Sequence, residues 1–417
     1  MFGIKTAIKE EQITTITLFT ILVAALGYFV DIFDLTLFAI VRVQSLKDLG
    51  VPAADMLSTG ILLINCQMAG LLIGGILWGI WGDKIGRRSV LFGSILLYSI
   101  ANIANGFVHD VPLYAIMRFI AGIGLAGELG AGVTLASELL PARLRGIGTT
   151  FISVLGLLGV IFGVVIAAYT DWRIAYITGG VIGLLLLVMR VNVAESALHE
   201  KLMNDAPDIA RGNVMIFFRN LKLLRRFLKV VWVGAPVWAV NGLLITFTPE
   251  FAKALGMTVI PTAANATLAF YIGGSIGALC IGLLSQKLKS RKKAVAIWIL
   301  WLAASVALYV FAGRLNDLAV YYLMCSLLGI GMGYWCMFIQ IGAEQFGTNI
   351  RATAATCAPN FVRGLTVPYT IAFQALTPHL GVTYSGLTVI GVMIFIAFIA
   401  LARLQETFGK NLDFQDV

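Results

Sequence analysis

Five charged side chains stand where the sequence is otherwise apolar: Asp31, Asp34, Arg118, Glu128 and Arg363. A charge inside a membrane-length apolar run costs roughly 2.5–3.5 kcal/mol on insertion scales, so each is a candidate for function. Asp31 and Asp34 are three residues apart and share one face of a helix. Two acids offer more than a static ion pair needs. One can pair with Arg118 while the other, desolvated beside a like charge, exchanges protons; a purely structural pair is the alternative. Glu128 suits either a second proton site or a polar helix–helix contact. Arg363 has no acid within its own run, so its partner comes from another helix or from a ligand. Its fork of donors suits a carboxylate or phosphate held bidentately, with backbone carbonyls or an acid on another helix as the structural alternative. Asn360 lies one turn away on the same face, and Asn241 and Gln340 are weaker candidate contacts. Trp335 and Tyr334 either line a cavity or simply pack.

Other chemistry is missing from the pattern. No nucleophile stands with a base, no glycine loop is built to cradle phosphate, and no metal set has useful spacing. The five cysteines, Cys66, Cys280, Cys325, Cys336 and Cys357, fall in apolar runs and are expected to remain thiols. We therefore expect no enzyme, no metal and no cofactor.

These residues are carried by a chain of 417 residues that is 59% hydrophobic and 12% charged, with mean hydropathy +0.92. A soluble domain has about 25% charged residues, so the composition is that of a polytopic membrane protein. The pI of 9.3 does not call for nucleic acid, because the cations lie between apolar spans. Twelve spans are expected, over 16–43, 57–81, 88–107, 112–139, 145–169, 173–191, 228–250, 262–286, 294–313, 318–345, 350–378 and 382–404. No removable signal peptide is read at the polar N-terminus. The longest polar interruption divides the chain into a first bundle (1–192), a linker (193–226) and a second bundle (227–417). Within it, 212–229 mixes Phe217, Phe218, Leu221 and Leu224 with Arg219, Lys222, Arg225 and Arg226, the pattern of a basic amphipathic surface helix, with a flexible linker as the alternative.

Counting Lys and Arg orients the spans. Lys5, Lys9, Lys84, Arg87, Arg88, Arg143, Arg145, the linker, 287–293, Arg351, Arg403 and Lys410 share one side, against Arg42, Lys47, Arg173, Lys253 and Arg314 on the other. The rich side is expected to be cytoplasmic, with both termini. At about 1.5 Å per residue, Arg118 lies roughly level with residue 37 of span one and Glu128 with residue 27, while Arg363 lies roughly 20 Å into span eleven, near the midplane. Pro368, about a turn and a half beyond it, can loosen that helix. The halves also echo each other. Glu138 and Arg145 after span four, and Glu344 and Arg351 after span ten, are each seven residues apart, and Gly122-Ile-Gly124 returns as Gly329-Ile-Gly331.

The turn Gly79-Ile-Trp-Gly82-Asp83-Lys84-Ile-Gly86-Arg87-Arg88 closely resembles the loop 2–3 signature of the major facilitator superfamily of secondary transporters. Arg118-Phe-Ile-Ala-Gly122-Ile-Gly124 resembles that family's span-four motif, whose arginine is associated with proton coupling. Gly127-Glu128, Ala136-Ser137-Glu138, Pro141-Ala-Arg143 and Arg145-Gly146 look like the metabolite:proton and aromatic-acid:proton symporter branches, and Asp31-Ile-Phe-Asp34 is similar to a motif of the latter. Trp172-Arg173 and Glu195-Ser196 resemble sugar porters and their metabolite relatives, although Ala194 stands where a proline is usual. Span five lacks the Gly-Pro pair typical of drug:proton antiporters.

The resemblance implies an all-α fold of twelve transmembrane helices in two pseudo-symmetric six-helix bundles, with a substrate site between them at mid-membrane. It implies a monomeric transporter in a bacterial inner membrane, partnered by the lipid bilayer, a small-molecule substrate and protons, with the proton gradient as energy source. The leading expectation is a symporter importing a small anionic or zwitterionic metabolite. An exporter of the same fold and a non-transporting receptor are the alternatives. By the same resemblance Asp83, Arg87, Arg88, Glu138 and Arg145, with Glu344 and Arg351, are expected to pair across the cytoplasmic mouth as a gate; screened surface charges are the alternative.

Overall fold

With no water in the hydrocarbon core, an apolar run must satisfy its own backbone, and a helix does so within one segment. The computed structural model describes residues 15–85, 87–127, 145–189, 220–347 and 350–409, and its regular structure there is helical. The first half comprises α1 (Thr15–Asp48), α2 (Met56–Ile85), α3 (Arg87–Asn105), α4 (Val111–Leu125), α5 (Arg145–Tyr169) and α6 (Trp172–Met189). The second half comprises α7 (Leu221–Ala239), α8 (Ala263–Leu288), α9 (Arg291–Arg314) and α10 (Leu318–Met332, resumed at Trp335–Glu344). It ends with α11 (Arg351–Gly364, continued into Thr366–Ala402) and α12, the part of Thr366–Ala402 beyond Gly381. Gly381 takes φ 72°, a conformation that favours glycine, and so separates two helices that otherwise run together.

Polar caps start the spans. Asp110, Asn220, Thr262 and Asp317 each accept a first-turn N–H at the head of α4, α7, α8 and α10. Seven described stretches are apolar and long enough to cross a membrane by themselves. Large apolar side chains such as Val188, Leu283 and Phe395 are exposed on the outer surface, which suits lipid contact.

Three departures from continuous helix matter later. The expected span seven is broken: α7 passes into a π-helical turn, Val240–Ile245, and then a short helix, Thr248–Ala254. The Asn241 carbonyl accepts from the Thr246 N–H (3.0 Å) and hydroxyl (2.9 Å). The Tyr369 hydroxyl, lying against Gly242, donates to the Trp238 carbonyl at 2.7 Å. The second break, in α11, falls at Leu365. This is the loosening expected of Pro368, whose ring meets the carbonyl four residues back, at Gly364. The third concerns the expected surface helix. Residues 212–219 of it lie outside the described residues, and from Leu221 onward the chain already forms the first turns of α7, with Leu223 and Phe227 buried. Arg226 there donates to the Gln345 carbonyl at 3.0 Å, so this basic stretch docks on α10.

Each half packs by one scheme. α2 lies on α4 and α3 on α6 in the first half; α8 lies on α10 and α9 on α12 in the second. The halves meet where α2 lies against α11 and α5 against α8, a symmetric pair of contacts if α2 corresponds to α8 and α5 to α11. Small residues permit the closest approaches. A Cβ on Gly122 would sit 2.1 Å from the Gln67 carbonyl oxygen of α2, and one on Gly329 would sit 1.9 Å from the Phe270 carbonyl oxygen of α8. The glycine echo in the sequence is thus one contact made twice.

Gly122→Ala and Gly329→Ala should each destabilise by about 1–3 kcal/mol, the usual range for overpacking. Gly282→Ala, whose new Cβ meets nothing within 4 Å, should stay near wild type. Thermal unfolding of the detergent-purified protein compares the three.

Candidate functional site

Asp31 of α1 and Arg363 of α11 meet between the halves. Arg363 Nη2 lies 3.8 Å from Asp31 Oδ2, and the side chains are 1% and 0% exposed. At that distance the interaction is an ion pair rather than a hydrogen bond. The alternative left open for Arg363, an acid from another helix, is therefore what its surroundings hold. The guanidinium lies over the Trp238 ring, 5.0 Å from its centroid. Trp238 meets Trp335 edge-on at 5.9 Å, and Trp335 packs on Phe338 at 4.8 Å. Tyr28 and Tyr271 lie within electrostatic reach of both charges. Arg363 Nε and Nη1 have no hydrogen-bond partner among the described residues.

A second polar group lies deeper in the first half. Asp34 Oδ2 accepts from Asn102 Nδ2 of α3. Arg118 Nη2 donates to Gln67 Oε1 of α2, and its guanidinium lies 5.1 Å from the Phe38 ring and 5.4 Å from the Tyr176 ring. Arg118 and Asp34, expected as partners, lie within electrostatic reach of each other, while each makes its hydrogen bond to an amide. The depth estimate holds, since Phe38 adjoins the position expected to lie level with Arg118. Depth alone does not say which way each side chain points round its helix.

Between the halves, a small polar cleft of about 10 Å³, room for about one water, is lined among others by Thr36, Gln67, Trp238, Asn241, Thr246 and Thr267. Beyond it, Arg42 of α1 reaches Glu250 of the short helix after α7. The pair is bidentate, 2.7 Å for Nη1–Oε1 and 2.7 Å for Nη2–Oε2. The guanidinium also lies 4.6 Å from the Phe247 ring and is fully buried, whereas the Glu250 side chain is 18% exposed. Asn65 and Thr370 (2.7 Å) and Asn360 and the Ala126 carbonyl (3.0 Å) are further bonds between the halves.

The remaining candidates divide. Asn241 lines the cleft and Trp335 belongs to the aromatic wall. Asn360 is buried one turn from Arg363 and serves the contact with Ala126. Tyr334 stands behind the wall, its hydroxyl donating to the Val233 carbonyl at 2.9 Å, so it braces α10 on α7. Gln340 is exposed and donates to Glu344 at 3.2 Å, away from Arg363.

At the expected cytoplasmic mouth, Glu344 pairs with Arg291 of its own half, bidentately at 2.6 and 2.7 Å, and not across the mouth. Arg291 opens α9 beside the end of α10, which makes it the nearer cation. Arg351 donates to the Phe346 carbonyl at 3.2 Å. Glu128 and Glu138 lie outside the described residues. For Asp83, Arg87, Arg88 and Arg145 only the helical backbone is described.

Glu406 completes the second half's cluster. Its carboxylate accepts from the Ser290 hydroxyl and from the N–H groups of Arg291 (3.0 Å) and Lys292 (3.3 Å), capping α9. Partial burial works against its charge. The bonds from Ser290, Phe408, Arg291 and Lys292 outweigh burial and hold the carboxyl below its usual range.

Sequence reasoning passed over Gln67, Asn102, Thr267, Arg42 and Glu250. A signal existed for the last two. Arg42 falls within the last turns of a long apolar run, and Glu250 follows Thr248-Pro249 at the end of another.

A buried ion pair and a polar cleft between two matching helical bundles define a membrane transport protein. The chain belongs to the Major Facilitator Superfamily, whose family model matches residues 24–365. It is 24% identical over 430 residues to the niacin transporter of Acinetobacter baylyi, covering 94% of each chain. It is 26% identical to the sialic acid transporter of Escherichia coli, covering 91% of this chain and 90% of that one. A crystal structure of a D-xylose–proton symporter superposes with a TM-score of 0.70 at 19% identity, over 95% of this chain and 99% of that one. The fold is thus the two-bundle one expected, and the family is one of transporters rather than enzymes.

Two expectations follow. Removing one member of a buried pair costs about 3–5 kcal/mol. Glu250→Ala strands a fully buried guanidinium, while Arg42→Ala leaves a carboxylate that water reaches, so Glu250→Ala should be the worse of the two. A loss of about 3 kcal/mol shifts the open-to-closed ratio at this end roughly 100-fold. The alkylation rate of a Thr36→Cys reporter in the cleft reads this. The second concerns Glu406. A depressed folded-state pKa stabilises above the carboxyl's unfolded value of 4.5 and is lost as pH falls through the folded one. Between neutral pH and strong acid, wild type should therefore lose more of its melting temperature than Glu406→Gln.

Proposed function

We propose that the chain is a proton-coupled symporter that imports a small anionic or zwitterionic metabolite, an organic acid or amino acid, by alternating access. The observation that carries this reading is the buried Asp31–Arg363 pair between the halves, beside an aromatic wall. While Asp31 is ionised, Arg363 is already neutralised, and a bound anion would leave an uncompensated negative charge in a low-dielectric site. Once Asp31 takes a proton, Arg363 requires a counter-ion, and a substrate carboxylate supplies it. Proton and anion thus enter together because the site favours electroneutrality. Asp34, held by Asn102, with Arg118 and Glu128, forms the second acid–base group of the path.

The relatives named above transport niacin and sialic acid, both carboxylic acids, and the fold neighbour is a proton symporter. Positive charge concentrates on the side holding Arg291, which we read as cytoplasmic together with both termini, in a bacterial inner membrane. We read 1–192 and 227–417 as the bodies that rock about the site, joined by the linker 193–226, in a monomer that needs only the proton gradient.

Uptake by proteoliposomes under an imposed pH gradient tests this. Inward accumulation of an acid supports symport; extrusion supports an exporter, and no flux a receptor. Asp31→Asn should abolish gradient-driven accumulation while substrate exchange at equal concentrations persists. Arg363→Lys keeps the charge and loses the fork, and Arg363→Gln loses both. Affinity should fall in both, by roughly 10- to 100-fold in the second, the value of a charged hydrogen bond of about 1.5–3 kcal/mol. Wild-type affinity in Arg363→Gln, or a neutral sugar as best substrate, overturns the reading.

A further inference from the structure

We infer that Gln67 and Thr267 form a second recognition point in the cleft, for an uncharged hydrogen-bond acceptor carried by the transported acid some distance from its carboxylate. The inference rests on the anion reading of Arg363 and extends it to the rest of the substrate.

The cleft adjoins the ion pair through Trp238. That residue lies against the Arg363 guanidinium and also lines the cleft. In this state the cleft has room for about one water-sized atom, so it takes a single acceptor atom of a molecule held at Arg363, and the rest of that molecule enters as the halves part.

The polar side chains lining the cleft are unequally committed. The Thr36 hydroxyl donates to the Ile32 carbonyl at 2.7 Å, and the Thr246 hydroxyl to the Asn241 carbonyl at 2.9 Å. The Thr366 hydroxyl accepts from Tyr369 at 3.0 Å. Gln67 Nε2 and Thr267 Oγ1 have no hydrogen-bond partner among the described residues, although their residues are 1% and 0% exposed. A buried polar group left unpaired costs about 1–3 kcal/mol, and here two of them line one cleft.

The direction of the Gln67 amide follows from chemistry. Arginine only donates, so the atom facing Arg118 is the carbonyl oxygen, and the NH₂ group turns the other way. Gln67 thus presents a donor. Its backbone is held by the close contact between its carbonyl oxygen and Gly122. Thr267 can donate or accept. Gln67 belongs to α2 of the first half and Thr267 to α8 of the second, so an acceptor bonded to both joins the halves around the substrate.

Equilibrium binding to the full-length purified protein tests this with benzoate and pyridine-3-carboxylate, acids of one shape that differ by a ring acceptor. Wild type should prefer the pyridine acid by about tenfold, the worth of one such bond made in a buried site. In Thr267→Val and in Gln67→Met that preference should fall to about onefold. Arg363→Gln should weaken both acids and keep their ratio. Because Gln67→Met also disturbs Arg118, Thr267→Val is the decisive variant. A preference that survives in Thr267→Val overturns the inference, as does equal affinity of wild type for the two acids, the result expected of a cleft that holds only water. Failure of wild type to bind either acid overturns the anion reading and this inference with it. Equal affinity for both acids sinks this inference alone.

Discussion

The fold depends on where its buried charges find partners. A carboxylate or guanidinium taken out of water carries a penalty of several kcal/mol even after relaxation, repaid only by close opposite charge and hydrogen bonds. Within one apolar span there is nothing to repay it, so the partner must come from another helix. Asp31 finds Arg363, and Arg42 finds Glu250, each across the boundary between the halves. Asp34 and Arg118 find neutral amides, Asn102 and Gln67, within the first half. The same constraint therefore does two things. Amide partners hold charges within one bundle, and charged partners join the two bundles.

What surrounds these charges is rigid where it is repeated and irregular where it meets the cleft. The glycine contacts of α2 with α4 and of α8 with α10 bring backbones too close for a Cβ, so α2 packs directly on α4, and α8 on α10. The breaks fall on the other side. The π-helical turn, which begins two residues after Trp238, places Asn241 and Gly242 beside the cleft, and the interruption at Leu365 lies two residues beyond Arg363. Non-helical backbone at membrane depth is tolerated where it lines a cavity or is buried in protein. These breaks therefore sit where helix curvature and carbonyl direction can be altered without exposing polar backbone to lipid.

Much of this was legible in the residue order. Hydropathy located the spans, because backbone satisfaction in lipid leaves little choice of structure. The rise per residue put Arg118 level with residue 37, next to the Phe38 whose ring its guanidinium lies over. What sequence could not fix was rotation about each helix axis. Arg118 has the right depth for Asp34 but faces Gln67. Glu344 has the right height for a gate but lies nearer to Arg291. Arg42 looked like a residue of the outer edge because α1 was expected to end near residue 43; the helix runs on to Asp48, which buries it. Gln67 and Thr267 carried no charge, and a neutral polar residue in a span gives no sign of which group it will face.

The two interhalf ion pairs respond differently to rocking. Asp31 and Arg42 are eleven residues apart on α1, or about 16 Å along the axis. If the halves rock about the level of the Asp31–Arg363 pair by about 10°, the Arg42 end is displaced by about 3 Å, while the pair near the pivot keeps its separation. That displacement exceeds what a bidentate bond of 2.7 Å tolerates. The Arg42–Glu250 bond therefore reports which way the halves are tilted, whereas Asp31–Arg363 is indifferent to tilt and sensitive to protonation and to anions. The charges described at the other end, Arg291 with Glu344 and the Glu406 cap, lie within the second half and are unaffected by the tilt. In this arrangement opening the Arg42 end must break one buried salt bridge, and on the reading proposed above the energy that loads the site is set separately, by what competes with Asp31 for Arg363.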